Sequence, residues 1–74
     1  PKNRYFVQVN FSQPLEGLGS VVSFGTMSLE GVENYIRKYW MYKQPTVHVV
    51  IRENKKQYPS FEWVEVRRFN LDAE

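Results

Sequence analysis

The side chains able to do acid–base or nucleophilic chemistry are few and poorly placed for it. The 74 residues contain one histidine (His48), one aspartate (Asp72) and no cysteine. A general acid and its base must lie within hydrogen-bond reach, whereas Glu62 and Glu65 fall on opposite faces of any strand that contains both. One histidine with scattered glutamates also lacks the ligand set of a zinc site. We therefore expect no enzymatic activity, no metal and no cofactor.

A second set of side chains is suited to binding. Exposed aromatic residues and arginines anchor protein interfaces, and exposed sheet aromatics stack on unpaired bases in nucleic-acid readers. The predicted binding residues are Phe6, His48, Arg52, Trp63, Arg67 and Phe69. In the nucleic-acid alternative, Arg4, Lys55 and Lys56 would contact phosphates. A lone strand histidine such as His48 is more often a half-exposed polar residue than a pH-sensitive contact.

Four strands would position these residues. Arg4 to Phe11 alternates apolar and polar side chains, Val21 to Met27 forms a second short strand, and Thr46 to Glu53 is rich in β-branched residues. A last strand runs from Phe61 to Phe69. The segment from Ser12 to Ser20, with its proline and two glycines, predicts a flexible hairpin loop.

One amphipathic helix is predicted from Leu29 to Lys43. Ser28 is the candidate N-cap, although Gly31 argues against this start, and Pro45 ends the helix after Gln44. Its inner face would carry Leu29, Val32, Ile36, Trp40 and the stem of Lys43, with Met41 pointing away. A tyrosine stripe, Tyr35, Tyr39 and Tyr42, would lie at the margin of the core.

These elements predict a single α+β domain over residues 1–74. It is a ββαββ chain with a four-stranded, largely antiparallel sheet, one helix on one face, and frayed ends at residues 1–3 and 70–74. One helix cannot cover both faces of the sheet, so the other face stays open. The aliphatic residues expected to face the helix are Val7, Val9, Val22, Phe24, Val47, Val49, Ile51, Val64 and Val66. A one-residue slip of the last strand would instead make Phe61 and Trp63 core residues.

Net charge and composition indicate which class of partner the chain binds. Ten basic against eight acidic residues give a net charge of +2, weaker than the basic excess of most nucleic-acid modules. We therefore expect a protein partner, engaged through the open sheet face or an edge, ahead of nucleic acid; a homodimer would also support a small core. The sequence has no membrane-spanning apolar run, and we expect a cytoplasmic protein. Short cysteine-free chains of this type occur among phage and mobile-element products that inhibit a host protein, so a regulator or inhibitor is our expectation.

Overall fold

The computed structural model describes residues 4–41, 44–57 and 59–74, and it has the predicted ββαββ order. The strands are β1 (Tyr5–Leu15), β2 (Gly19–Thr26), β3 (Thr46–Asn54) and β4 (Trp63–Asp72), and the helix is α1 (Val32–Tyr39). All strand pairs are antiparallel, in the order β2-β1-β3-β4. The predicted α+β fold is confirmed. Residues 1–3, where we expected a frayed end, lie outside the described residues.

Strict alternation in the two central strands builds the core. Val7 and Val9 of β1 face Ile51 and Val49 of β3, and all four are almost fully buried beneath the helix. Alternate residues of a strand point to opposite faces, so this pairing turns one side of both strands toward α1. The core cluster contains Val7, Val9, Phe11, Val32, Ile36, Met41, Val47, Val49, Ile51 and Leu71.

The hairpin between β1 and β2 is more ordered than predicted. β1 continues to Leu15 and β2 begins at Gly19, so strand structure occupies most of the segment expected to be a loop. The connection is a tight turn in which the Leu18 amide donates to the Leu15 carbonyl over 3.1 Å. Gly17 supplies the left-handed backbone at this turn, with φ of 83°. Leu15 packs against the core, which explains why the strand extends this far.

The helix begins three residues later than predicted. Gly31 has a φ of 78°, a left-handed conformation that cannot continue a right-handed helix, and it occupies the N-cap position. Ser28 is therefore not the N-cap, although its hydroxyl accepts the Glu30 amide over 3.1 Å in the preceding turn. Val32 and Ile36, one turn apart, are the buried residues of this two-turn helix.

The helix also ends earlier than predicted. Trp40 leaves the helical conformation, with φ of −122°, while its amide still donates to the Ile36 carbonyl. Met41 was expected to point away from the core on a continuing helix. It is buried instead, because the chain has already turned and helical spacing no longer applies. Tyr42 and Lys43 lie outside the described residues.

Gln44 extends the sheet beyond the start of β3. Its side-chain carbonyl accepts the Gln13 amide over 2.9 Å, and its side-chain amide donates to the Gln13 carbonyl over 2.7 Å. Ser12 donates to the same Gln44 oxygen. The buried glutamine thus takes the place of a backbone partner for β1, because buried amide and carbonyl groups must be paired.

β4 contains a bulge that exchanges its faces halfway along. Arg52 pairs with Glu65 while its neighbour Ile51 pairs with Arg67, so Val66 is the extra residue. Before the bulge, Trp63 lies away from the helix as predicted. After it, Arg67 and Phe69 lie on the helix side, so their predicted place on the open face is wrong.

The predicted burial of Val64 and Val66 and the predicted fraying of the C-terminal residues of β4 are also wrong. Val64 and Val66, expected in the core, are exposed; Val64 is opposite Glu53 near the end of β3, and Val66 is in the bulge. The tail expected to fray from residue 70 belongs to the strand through Asp72. Leu71 pairs with Val47 and is only 5% exposed, so burial of this leucine holds the end of the chain on the sheet.

Candidate binding face

The open face is the side of β1, β3 and β4 that points away from α1. Cross-strand pairing places its residues in three rows, each with one residue from each strand. From one end to the other, the rows are Phe6, Arg52 and Glu65; Gln8, Val50 and Arg68; and Asn10, His48 and Asn70. Trp63 lies beyond the first row, opposite Asn54.

An aromatic pair forms one end of the open face. The Phe6 and Trp63 rings are 5.8 Å apart between centroids and inclined by 51°, which is a favourable geometry for aromatic contact. Phe6 belongs to β1 and Trp63 to β4, so the two rings meet across the intervening strand β3. Each residue remains 41% exposed. The two rings therefore stabilise each other and still form an apolar surface that is accessible to a partner.

The middle of the open face is a hydrogen-bonded polar layer. Arg52 donates to the Gln8 side-chain carbonyl over 2.9 Å, and Gln8 donates to Asn10 over 3.0 Å. Asn10 in turn donates to the His48 backbone carbonyl over 3.1 Å. Val50 lies in this layer and is 3% exposed. It is buried on the face that has no helix, because the long polar side chains around it form the cover.

His48 lies between two partners contributed by β4. Arg68 donates to its Nε2 atom over 2.8 Å, so Nε2 must be an unprotonated acceptor. The proton is then on Nδ1, which donates to the Asn70 side-chain oxygen over 2.6 Å. Both ring nitrogens are thus engaged by side chains of β4.

Arg68 itself is held by Glu65. The guanidinium makes two bonds to the carboxylate, of 3.0 Å from Nε and 2.7 Å from one terminal nitrogen. This two-bond contact gives a fixed planar geometry as well as charge neutralisation. Hydrogen bonding from Arg68 lowers the pKa of Glu65 below its usual range, and the nearby positive charges of Arg68 and Arg52 act in the same direction.

A second ion cluster lies at the aromatic end of the sheet, on its other side. The buried carboxylate of Glu53 accepts from Arg4 Nε over 2.7 Å and from Lys55 Nζ over 3.0 Å. These bonds, with that of Arg4 the strongest cause, hold the pKa of Glu53 below its usual range. Two of the three basic residues proposed as phosphate contacts are therefore already paired with a carboxylate.

The structure brings together part of the predicted site. Phe6, His48, Arg52 and Trp63 share the open face, whereas Arg67 and Phe69 lie on the helix side, with the Arg67 guanidinium 4.7 Å from the Phe69 ring centre. Three β4 residues of the open face, Glu65, Arg68 and Asn70, were not among the predicted binding residues. The signal for Arg68 and Asn70 is in β4 itself, where the apolar positions change from even numbers (Val64, Val66) to odd numbers (Phe69, Leu71).

Among the described residues, no three histidine, cysteine, aspartate or glutamate side chains are close enough together to hold a metal ion. The only helix found in the described part of the chain is far too short to cross a membrane. Comparison with protein-family models, curated proteins and solved structures gives no match.

Proposed function

We propose that this domain is a non-enzymatic binding module that engages a protein partner through the aromatic end of its open face. The observation that carries the proposal is the Phe6–Trp63 pair, two large rings held together and left accessible on a face that no helix or strand of the described residues covers. Aromatic residues of this kind provide most of the energetic hot spots of protein interfaces. By covering part of its partner's surface, such a module acts as a regulator or inhibitor.

The remainder of the open face fits the rim of such a contact. Its side chains already satisfy one another, as in the chain from Arg52 through Gln8 to Asn10. Interfaces commonly surround an apolar centre with a polar, partly hydrated rim. A partner that covers Phe6 and Trp63 would leave most of these internal hydrogen bonds in place, so desolvation of unpaired polar groups would not oppose binding.

Charge pairing favours a protein over a nucleic acid. Arg4 and Lys55 contact Glu53, and Arg68 contacts Glu65. A polyanion would have to compete with these carboxylates for the same cations. The second candidate, single-stranded nucleic acid, is supported by the exposed Phe6 and Trp63 rings, since exposed sheet aromatics stack on unpaired bases. Arg4 and Lys55 lie at the same end of the sheet, on its other side.

Trp63→Ala tests the proposal. A partner recovered by affinity capture and identified by mass spectrometry would be purified, and its affinity for wild type and variant measured by calorimetry. We expect a loss of about 2 kcal/mol or more, equivalent to about a 30-fold higher Kd. Stability should fall by less than the roughly 3–5 kcal/mol typical of a fully buried tryptophan, because Trp63 is 41% exposed.

Phe61→Ala is the matched control, because Phe61 is a large exposed aromatic residue outside the sheet. It should leave the affinity unchanged. Equal effects of the two variants would show that the contact is not at the open face. Binding of labelled single-stranded oligonucleotides that weakens steeply with salt, and that is lost in the Lys55→Ala variant, would favour the nucleic-acid candidate instead.

A further inference from the structure

The two edge strands of the sheet differ in their chemistry. β4 carries a bulge and the charged residues Glu65, Arg67, Arg68 and Asp72, which are features that prevent another strand from pairing with an edge. β2 has the sequence GSVVSFGT, with no charged residue and no proline. From Val21 to Thr26 it pairs regularly with β1. β2 is therefore an uncharged, regularly paired edge whose outer side has no strand neighbour among the described residues.

An aromatic ladder lies above this edge on the helix side. The Phe24 ring of β2 is 5.0 Å from the Tyr35 ring of α1, and Tyr35 is 4.9 Å from Tyr39. Both tyrosines are exposed, and Phe24 packs against the core, so Tyr35 lies at the margin of the core as predicted. Exposed Leu18 and Met27 lie just beyond the two ends of β2. The edge is thus surrounded by accessible apolar side chains, a pattern typical of a contact surface.

We propose that β2 pairs antiparallel with β2 of a second copy of this chain. An uncharged edge is best complemented by another uncharged strand, and β2 is the only such edge in the described part of the sheet. A two-fold axis perpendicular to the sheet would join the two four-stranded sheets into one of eight strands. Both helices would then lie on the same side, with the two aromatic ladders facing each other across the seam.

Pairing of β2 with β2 gives a closed assembly, whereas pairing of β2 with β4 does not. β2 of one copy against β4 of the next would leave a free edge at each end and grow without limit. The bulge and charges of β4 oppose such growth. The isologous β2 pair closes after two copies and uses the one edge without these protections, so the proposed assembly is a dimer. Its contact surface is separate from the aromatic end of the open face.

Sedimentation equilibrium of the full chain, at concentrations spanning about three decades, tests the proposal with two matched variants. Val21, on the open-face side of β2, is 43% exposed, and Val66, in the β4 bulge, is 41% exposed. Val21→Lys adds one positive charge at the proposed seam, where the two-fold axis brings it near its own copy. We expect its dimer Kd to rise at least about tenfold, because juxtaposed like charges oppose association. Val66→Lys adds the same charge at the other edge and should leave the dimer Kd within about threefold of wild type.

A wild-type protein that stays monomeric at every concentration would overturn the proposal, as would a dimer weakened equally by the two substitutions. Hydrogen exchange gives an independent readout. In the dimer, the amides of β2 that point away from β1 should become protected as concentration rises, while those of β4 should not change. Protection confined to β4 would place the interface at the wrong edge and refute the assignment.

Discussion

Deleting Val66 should leave the fold intact, although it removes a residue from the interior of a strand. Arg52 pairs with Glu65 and its neighbour Ile51 pairs with Arg67. Without Val66, residues 65 and 67 would become consecutive and would meet consecutive partners on β3, as in a regular antiparallel ladder. Each half of β4 would keep its present face. The side chain lost is an exposed one, so the free energy of unfolding should change by about 1 kcal/mol or less.

Deleting Asn70 is the matched control, since it also shortens β4 by one residue. Leu71 would then meet His48 on the open face, and Asp72 would take the position opposite Val47 in the core. If the chain instead absorbed the deletion by losing its bulge, Arg68 would face Val49 in the core. Loss of the buried leucine alone should cost about 2–5 kcal/mol, from a total of roughly 4–11 kcal/mol for a domain of 74 residues.

Urea denaturation of the two deletion variants, followed by far-ultraviolet circular dichroism, measures both free energies. If Val66 is the extra residue of the bulge, its loss will be tolerated, whereas loss of Asn70 will be severe. Comparable destabilisation by the two deletions would mean that Val66 is not a free insertion, and that the faces assigned to Arg67 and Phe69 are incorrect. Measurements at two protein concentrations separate an effect on folding from one on association.

Two further predictions concern polar groups that stabilise the ends of the sheet. Gln44→Glu should lower the free energy of unfolding at neutral pH by about 1–3 kcal/mol, because it replaces the donor to the Gln13 carbonyl with a buried carboxylate oxygen. Chemical denaturation measures this free energy. A stability equal to wild type would show that the Gln44 side chain does not serve as a strand partner. Arg4 and Lys55 lower the pKa of Glu53 below its ordinary value of 4.5, so the associated stability is fully present above that value and is lost as pH falls through the lower folded-state pKa. Glu53→Gln should therefore weaken the dependence of the melting temperature on pH in this acid range, and an unchanged acid profile would argue against the ion cluster.

The alternating pattern of the sequence was sufficient to predict most of the sheet. Val7, Val9, Val47 and Val49 lie where a period of two places them, because the helix requires a continuous apolar surface beneath it. Phe6 and His48 consequently lie on the other face, as expected. Strand ends were less predictable. β1 extends to Leu15 because that leucine reaches the core, a tertiary contact that local turn propensity does not include.

The helix was predicted too long because hydrophobic spacing does not record backbone conformation. Leu29 and Trp40 fit a helical stripe, and both pack against the core, yet neither lies within the helix. Gly31 adopts a left-handed conformation at one end, and the chain leaves the helix at Trp40 at the other. Apolar residues in the flanking turns reach the same core by a different path, so burial alone could not distinguish helix from turn.

The faces of β4 were predicted wrongly for a physical reason that can be found in the sequence. With strict alternation, Val64 and Val66 facing the helix would bring Arg68 and Asn70 into the core, where charged and amide groups would lack partners. The bulge avoids this by changing the parity between Glu65 and Arg67, which turns Phe69 and Leu71 inward and leaves Arg68 and Asn70 beside His48. The same change removes an aromatic side chain from the far end of the open face and replaces it with a hydrogen-bonded cluster. Among the described residues of the open face, accessible aromatic surface is consequently confined to the Phe6–Trp63 end. A contact through this face should therefore depend on Trp63 more than on any residue beyond the bulge.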